Sequence, residues 1–135
     1  MRFCWFLEQD IPIQFFLFSQ YQAIHICWFR YSIACTLYQG EVWVSGGKPE
    51  DPNENLQDVE IYNIENASWR PGPILTKARS AHSMHVVSHT LFVAGGMGGW
   101  TSLETLNITK GVWTEEETFF AVSHLDHTSV VVPCM

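Results

Sequence analysis

The chain has 135 residues, of which 47% are hydrophobic, 14% aromatic and 16% charged, and its formal net charge is −7. Such an apolar, aromatic-rich composition excludes a disordered polar tail. The 7 Lys and Arg are scattered and outnumbered by 14 Asp and Glu, which excludes a phosphate-neutralising surface and, with it, nucleic acid as a partner.

Residues 1–29 are aromatic and apolar, with Pro12 their only proline. The stretch 11–29 is long enough to cross a bilayer, but Gln14, Ser19, Gln20, Gln22 and His25 interrupt it, which argues against a membrane span. Glu8 and Asp10 precede the apolar run and no small-residue cleavage site comes after it, which argues against a signal peptide. The segment reads as sequence foreign to the rest of the chain, such as an alternative start or a mispredicted exon. The four cysteines, Cys4, Cys27, Cys35 and Cys134, lack paired metal-ligand spacing and read as buried thiols in a reducing compartment.

From Arg30 the pattern changes. Short apolar runs at 33–38, 42–45, 59–64 and 68–70 alternate with Gly, Asn and Pro signals, which predicts four strands rather than helices. Gln39-Gly40 reads as a turn. Gly46-Gly47 ends the second run, where any Cβ would collide. Pro71-Gly72-Pro73 is expected to turn the chain out of the fourth strand.

The same order then returns. Gly95-Gly96 lies 49 residues after Gly46-Gly47, and Arg30 and Arg79 each stand sixteen residues before their doublet. Val59-Glu60-Ile61-Tyr62-Asn63 matches Leu103-Glu104-Thr105-Leu106-Asn107, and Trp69 matches Trp113. Only the loop after the doublet differs, being five residues longer in the first copy, as expected of an insertion outside a packed core. The chain thus divides into a non-repeat segment at 1–29, repeats at 30–78 and 79–123, and a partial third copy at 124–135. In that last part His127-Thr-Ser-Val-Val matches His82-Ser-Met-His-Val.

An arginine, an apolar strand ending in Gly-Gly, a variable loop, Glu-x-Tyr-Asn and a later Trp together resemble the Kelch repeat. The resemblance covers residues 30 to 123, about 70% of the chain. It rests on Arg30, Gly46, Gly47, Tyr62, Trp69, Arg79, Gly95, Gly96 and Trp113 as the repeat framework. Leu106 departs from the expected Tyr, and Ile33 stands where the second copy has His82. The resemblance implies an all-β fold: an incomplete Kelch-type β-propeller of two four-stranded blades plus the start of a third. Tyr62, Trp69 and Trp113 would be wedges between sheets. Because such rings take four to eight blades, the chain is expected to be a fragment of a longer product or to need partner chains.

The same resemblance implies a protein-binding scaffold rather than an enzyme, holding peptide segments of protein partners at a loop rim. BTB–Kelch adaptors, whose BTB domain binds a cullin for ubiquitination, supply the leading expectation, with the BTB part outside this chain and the protein cytoplasmic. An extracellular attractin-like domain, an actin-binding Kelch protein and a galactose oxidase-like enzyme are the alternatives. Rim candidates are Tyr31, Ser32, Lys48, Ser80 and Ala81, with the loops 48–58 and 71–81. Arg30 and Arg79 are either part of that rim or structural.

Other constellations are weaker. His82 and His85 lie three apart on a strand and should diverge, while His89 falls in a turn. His124 and His127 fail likewise, so no metal is expected. Glu115-Glu116-Glu117 reads as a solvated loop. Ser80 and Ser83 beside His82 lack a nucleophile elbow, so no catalytic residue is expected. Gly95-Gly96-Met97-Gly98-Gly99 lacks the Lys-Ser/Thr of a phosphate loop and reads as a flexible rim loop, so no cofactor is implied. Asn66-Ala-Ser68 and Asn107-Ile-Thr109 fit the N-glycosylation pattern, but read first as turn chemistry.

Overall fold

The computed structural model describes residues 30–49, 51 and 53–116. The expectations for residues 1–29, for the partial third copy and for the histidines within it lie outside the described residues. The described part is all-β. Strands β1 (Ala34–Tyr38), β2 (Glu41–Ser45), β3 (Val59–Asn63) and β4 (Ser68–Pro71) form one antiparallel sheet in that order. Strands β5 (Ser83–Val87), β6 (Thr90–Ala94), β7 (Leu103–Asn107) and β8 (Val112–Glu116) form a second with the same connectivity.

Each first hairpin closes with two consecutive left-handed residues, Gln39 (φ 52) and Gly40 (φ 79) in one sheet, Ser88 (φ 46) and His89 (φ 65) in the other. Two positive φ values in a two-residue loop match the right-handed strand twist. Only the first sheet puts glycine there. Changing Ser88-His89 to Asn-Gly should therefore stabilise the chain by about 1 kcal/mol, since a left-handed non-glycine residue costs about that much. The Tyr38 hydroxyl donates to the His89 carbonyl at 2.8 Å, and the backbone acceptor survives the change. Urea midpoints of the two proteins check this, and an unchanged or lower midpoint for the Asn-Gly protein would count against it.

The last hairpins turn on an asparagine side chain. Asn63 Oδ1 accepts the Asn66 amide at 3.1 Å, and its counterpart Asn107 accepts the Lys110 amide at 3.0 Å. That capture ends β3 at Asn63, one residue earlier than expected. Conversely, Pro71 remains within β4, opposite Glu60. Among the described residues the outermost strand has one side with no neighbour, so a residue lacking an N–H is tolerated there. The chain leaves the sheet at Gly72, whose amide still donates to the Val59 carbonyl at 2.7 Å.

Strand alternation sorts the side chains. Ala34, Tyr38, Trp43, Val59 and Ile61 share one face of the first sheet, by the cross-strand register. Met84, Val86, Leu91, Val93, Leu106 and Trp113 share one face of the second. These two faces pack together with Leu75 as a single core. Trp113 is thus a wedge between the sheets, and its indole N–H donates to the Pro73 carbonyl at 2.8 Å. Tyr62 and Trp69 instead occupy the opposite face of the first sheet, directly across from each other with ring centroids 4.8 Å apart. The repeat register explains the difference. Tyr62 and Trp69 correspond to Leu106 and Trp113, so the face they occupy is the one that, in the second sheet, receives the preceding sheet.

Candidate functional site: the long-loop end of the blade pair

The tight turns lie at one end of both sheets. At the other lie the loops 46–58 and 95–102, the lead-in to β1 and the linker 72–82. Each lead-in is tied to the loop of its own sheet by an isolated bridge, Tyr31 with Lys48 and Ser80 with Met97, at equivalent repeat positions. The two sheets are then stitched to each other. Gly47 donates to the Arg79 carbonyl at 2.8 Å, Ala81 to the Ser32 carbonyl at 2.9 Å, and Arg79 to the Leu56 carbonyl at 2.9 Å. Ser45 Oγ and His82 Nε2 share a buried hydrogen bond of 2.8 Å.

Arg79 is wholly buried. Its guanidinium donates to the Gly95 carbonyl at 2.9 Å, to Ser102 Oγ at 3.0 Å and to Glu104 Oε1 at 2.5 Å. Glu104, also wholly buried, accepts the Thr76 amide at 2.7 Å and the Lys77 amide at 3.3 Å. One ion pair therefore holds the Gly-Gly end of β6, the start of β7 and the linker between sheets. Such a pair offsets its desolvation only through added hydrogen bonds of this kind. Arg30 repeats the arrangement, donating to the Gly46 carbonyl at 3.2 Å and pairing with Glu60.

The rim candidates separate on this frame. Tyr31 is 36% exposed and Ser32 is exposed, while Lys48 and Ala81 are half-buried. Ser80 is fully buried, and its hydroxyl donates to Asn55 Oδ1 at 2.7 Å. It joins the loop of the first sheet to the second rather than presenting a group to solvent. Ser32 and Ala81 carry φ values of 56 and 51, so both lead-ins make the same left-handed turn.

Trp100 is the residue at this end that sequence reasoning passed over. It is 48% exposed and caps the loop between β6 and β7. The glycines around it were expected to give a flexible loop, but they permit close packing instead. A Cβ at Gly98 would meet the Ala78 carbonyl, and one at Gly99 the Arg79 guanidinium. The loop is closed by Trp100 N–H to the Gly96 carbonyl (2.6 Å) and Ser102 N–H to the Gly99 carbonyl (2.7 Å). A glycine run ending in a tryptophan was the available signal.

Among the described residues no three His, Cys, Asp or Glu side chains group to hold a metal, and no helix is long and apolar enough to cross a membrane. His85 lies within β5 and His89 in the turn after it. Asn66 and Asn107 are both exposed at the tight-turn end. Cys35 is half-buried on β1.

Two consecutive four-stranded antiparallel sheets, packed face to face through one repeat register, are blades of a propeller-type repeat. The family model for the Kelch motif matches residues 30–76. Kelch-like protein 33 of Homo sapiens is 38% identical over 60 residues, covering 44% of this chain and 11% of the relative. An F-box/kelch-repeat protein of Arabidopsis thaliana is 30% identical over 89 residues, covering 62% and 23%. Kelch-like protein 6 of Homo sapiens is 31% identical over 101 residues, covering 67% and 16%. The chain belongs to the Kelch-repeat family, and it spans between 11% and 23% of the length of these relatives. Kelch repeats build protein-interaction scaffolds.

Proposed function

We propose that these blades contribute to the substrate-holding surface of a cullin-type ubiquitin-ligase adaptor, with the long-loop end as the part that meets the partner. The observation that carries the reading is the stitching of both lead-ins and both long loops into one continuous end, through Ala81 to Ser32, Ser80 to Asn55 and Gly47 to Arg79. Loops held this firmly pay little ordering cost when a peptide docks. Tyr31, Ser32, Lys48 and Ala81 supply side chains there. Resemblance to the Kelch propellers of BTB–Kelch adaptors supports the ligase role, as do the two Kelch-like relatives.

Affinity purification of the native gene product from cells, followed by immunoblotting for cullins, tests this. A cullin should co-purify, and its signal should be lost when the BTB part of the parent protein is deleted. Absence of any cullin, with other proteins retained, would leave a scaffold outside the ligase pathway. One observation favours a second reading, an extracellular domain: both sequon asparagines, Asn66 and Asn107, are exposed at the same end. Treatment of the native protein with a glycosidase that releases N-linked sugars should then shift its gel mobility, and no shift would remove that reading.

A further inference from the structure

Trp100 presents a large aromatic surface on a loop that is already rigid. It is 48% exposed, its φ is 38, and the loop beneath it rests on Ala78 and Arg79 through Gly98 and Gly99. An exposed tryptophan on a fixed backbone is a binding anchor, because little conformational entropy is lost when a partner covers it. The chemistry of that partner is given by the neighbouring loop. Asn55 touches the lead-in of the second blade through Ser80 and lies beside Gly98, so the loop before β3 adjoins the Trp100 loop. Asp51, Glu54 and Asp58 on it are exposed, and none makes an ion pair among the described residues. Of the cations at the same end, Arg30, Lys77 and Arg79 are already committed to Glu60, Glu115 and Glu104, and Lys48 is half-buried with an interaction of its own.

We infer that this end receives an arginine-containing peptide segment of a partner protein, with a guanidinium laid on the Trp100 face and the other cations of the segment opposed by Asp51, Glu54 and Asp58. Arginine is the cation best suited to an aromatic face, and unpaired carboxylates beside it favour a basic segment over an acidic one. The inference rests on the scaffold reading and names the partner chemistry.

A phage-displayed random dodecapeptide library panned on the full chain supplies the probe. Enriched peptides should carry arginine, and their binding should weaken as salt is raised. Trp100→Ala should reduce affinity on the order of 30-fold, as for an interface hot spot. The pair Asp51→Asn with Glu54→Gln should flatten the salt dependence. Ile108→Ala, which removes an exposed side chain at the opposite end, should change nothing, and circular dichroism checks that each variant is folded. Enrichment of acidic or uncharged peptides, a library that yields no binder, or binding that survives Trp100→Ala overturns the inference. The scaffold reading is judged separately, by whether proteins co-purify with the native gene product.

Discussion

Arg79→Met is expected to destabilise the chain by about 3–5 kcal/mol, because it leaves Glu104 charged and buried without its partner. Methionine retains most of the apolar stem, so the loss reads chiefly the guanidinium. Both side chains of the pair are fully buried, so no water reaches Glu104 to replace the lost donor. Arg30→Met makes the same change in the first blade, where Glu60 is 34% exposed and water can solvate the carboxylate. The loss there should be nearer about 1 kcal/mol. Removing both charges of the buried pair, as Arg79→Met with Glu104→Leu, should recover only part of the stability. Glu104 also accepts the Thr76 and Lys77 amides, and a hydrogen bond to a charged group contributes about 1.5–3 kcal/mol. Urea denaturation of the full chain, followed by tryptophan fluorescence, measures all three variants. Equal losses for Arg79→Met and Arg30→Met would show that burial between the blades is not what makes the pair matter.

The repeat was legible because its markers answer to local geometry. A Gly-Gly doublet, an arginine sixteen residues before it and two β-strands between them are properties of a single blade, and strand limits came from short apolar runs and turn residues. What the sequence does not carry is how one blade meets the next. The two-residue period puts Tyr62 and Trp69 on one face, but it does not say that Trp113 has a neighbouring sheet to wedge against while they face the other way. Ser80 has the exposure of a turn residue in sequence, yet Asn55 from the preceding blade's loop covers it. Trp100 stood unnoticed for a related reason. Its rigidity comes from Ala78 and Arg79, twenty or so residues upstream, so the glycines around it read as freedom rather than as fit.

The doublet itself provides the sharpest test of that coupling. Gly46→Ala should cost several kcal/mol, in two separable parts. A left-handed φ of 57 at this position accounts for about 1–2 kcal/mol once a Cβ is present. The rest comes from the neighbouring blade. The new methyl would stand 2.7 Å from His82 Cε1 and closer still to the Arg79 carbonyl, and overpacking of this kind adds about 1–3 kcal/mol. The clash cannot be relieved cheaply. Moving Arg79 away lengthens the bond from Gly47 N–H to its carbonyl, and moving His82 breaks its hydrogen bond with Ser45. Gly40→Ala is the matched control, since its φ is 79 and a Cβ there meets nothing within 4 Å. It should lose only the backbone part. Hydrogen exchange then locates the damage: Gly46→Ala should speed exchange at the Gly47 and Ala81 amides, which cross between blades, whereas Gly40→Ala should leave them protected. Equal urea midpoints for the two alanine variants would mean that the doublet serves only as the exit from a strand, and that the blades are held together elsewhere.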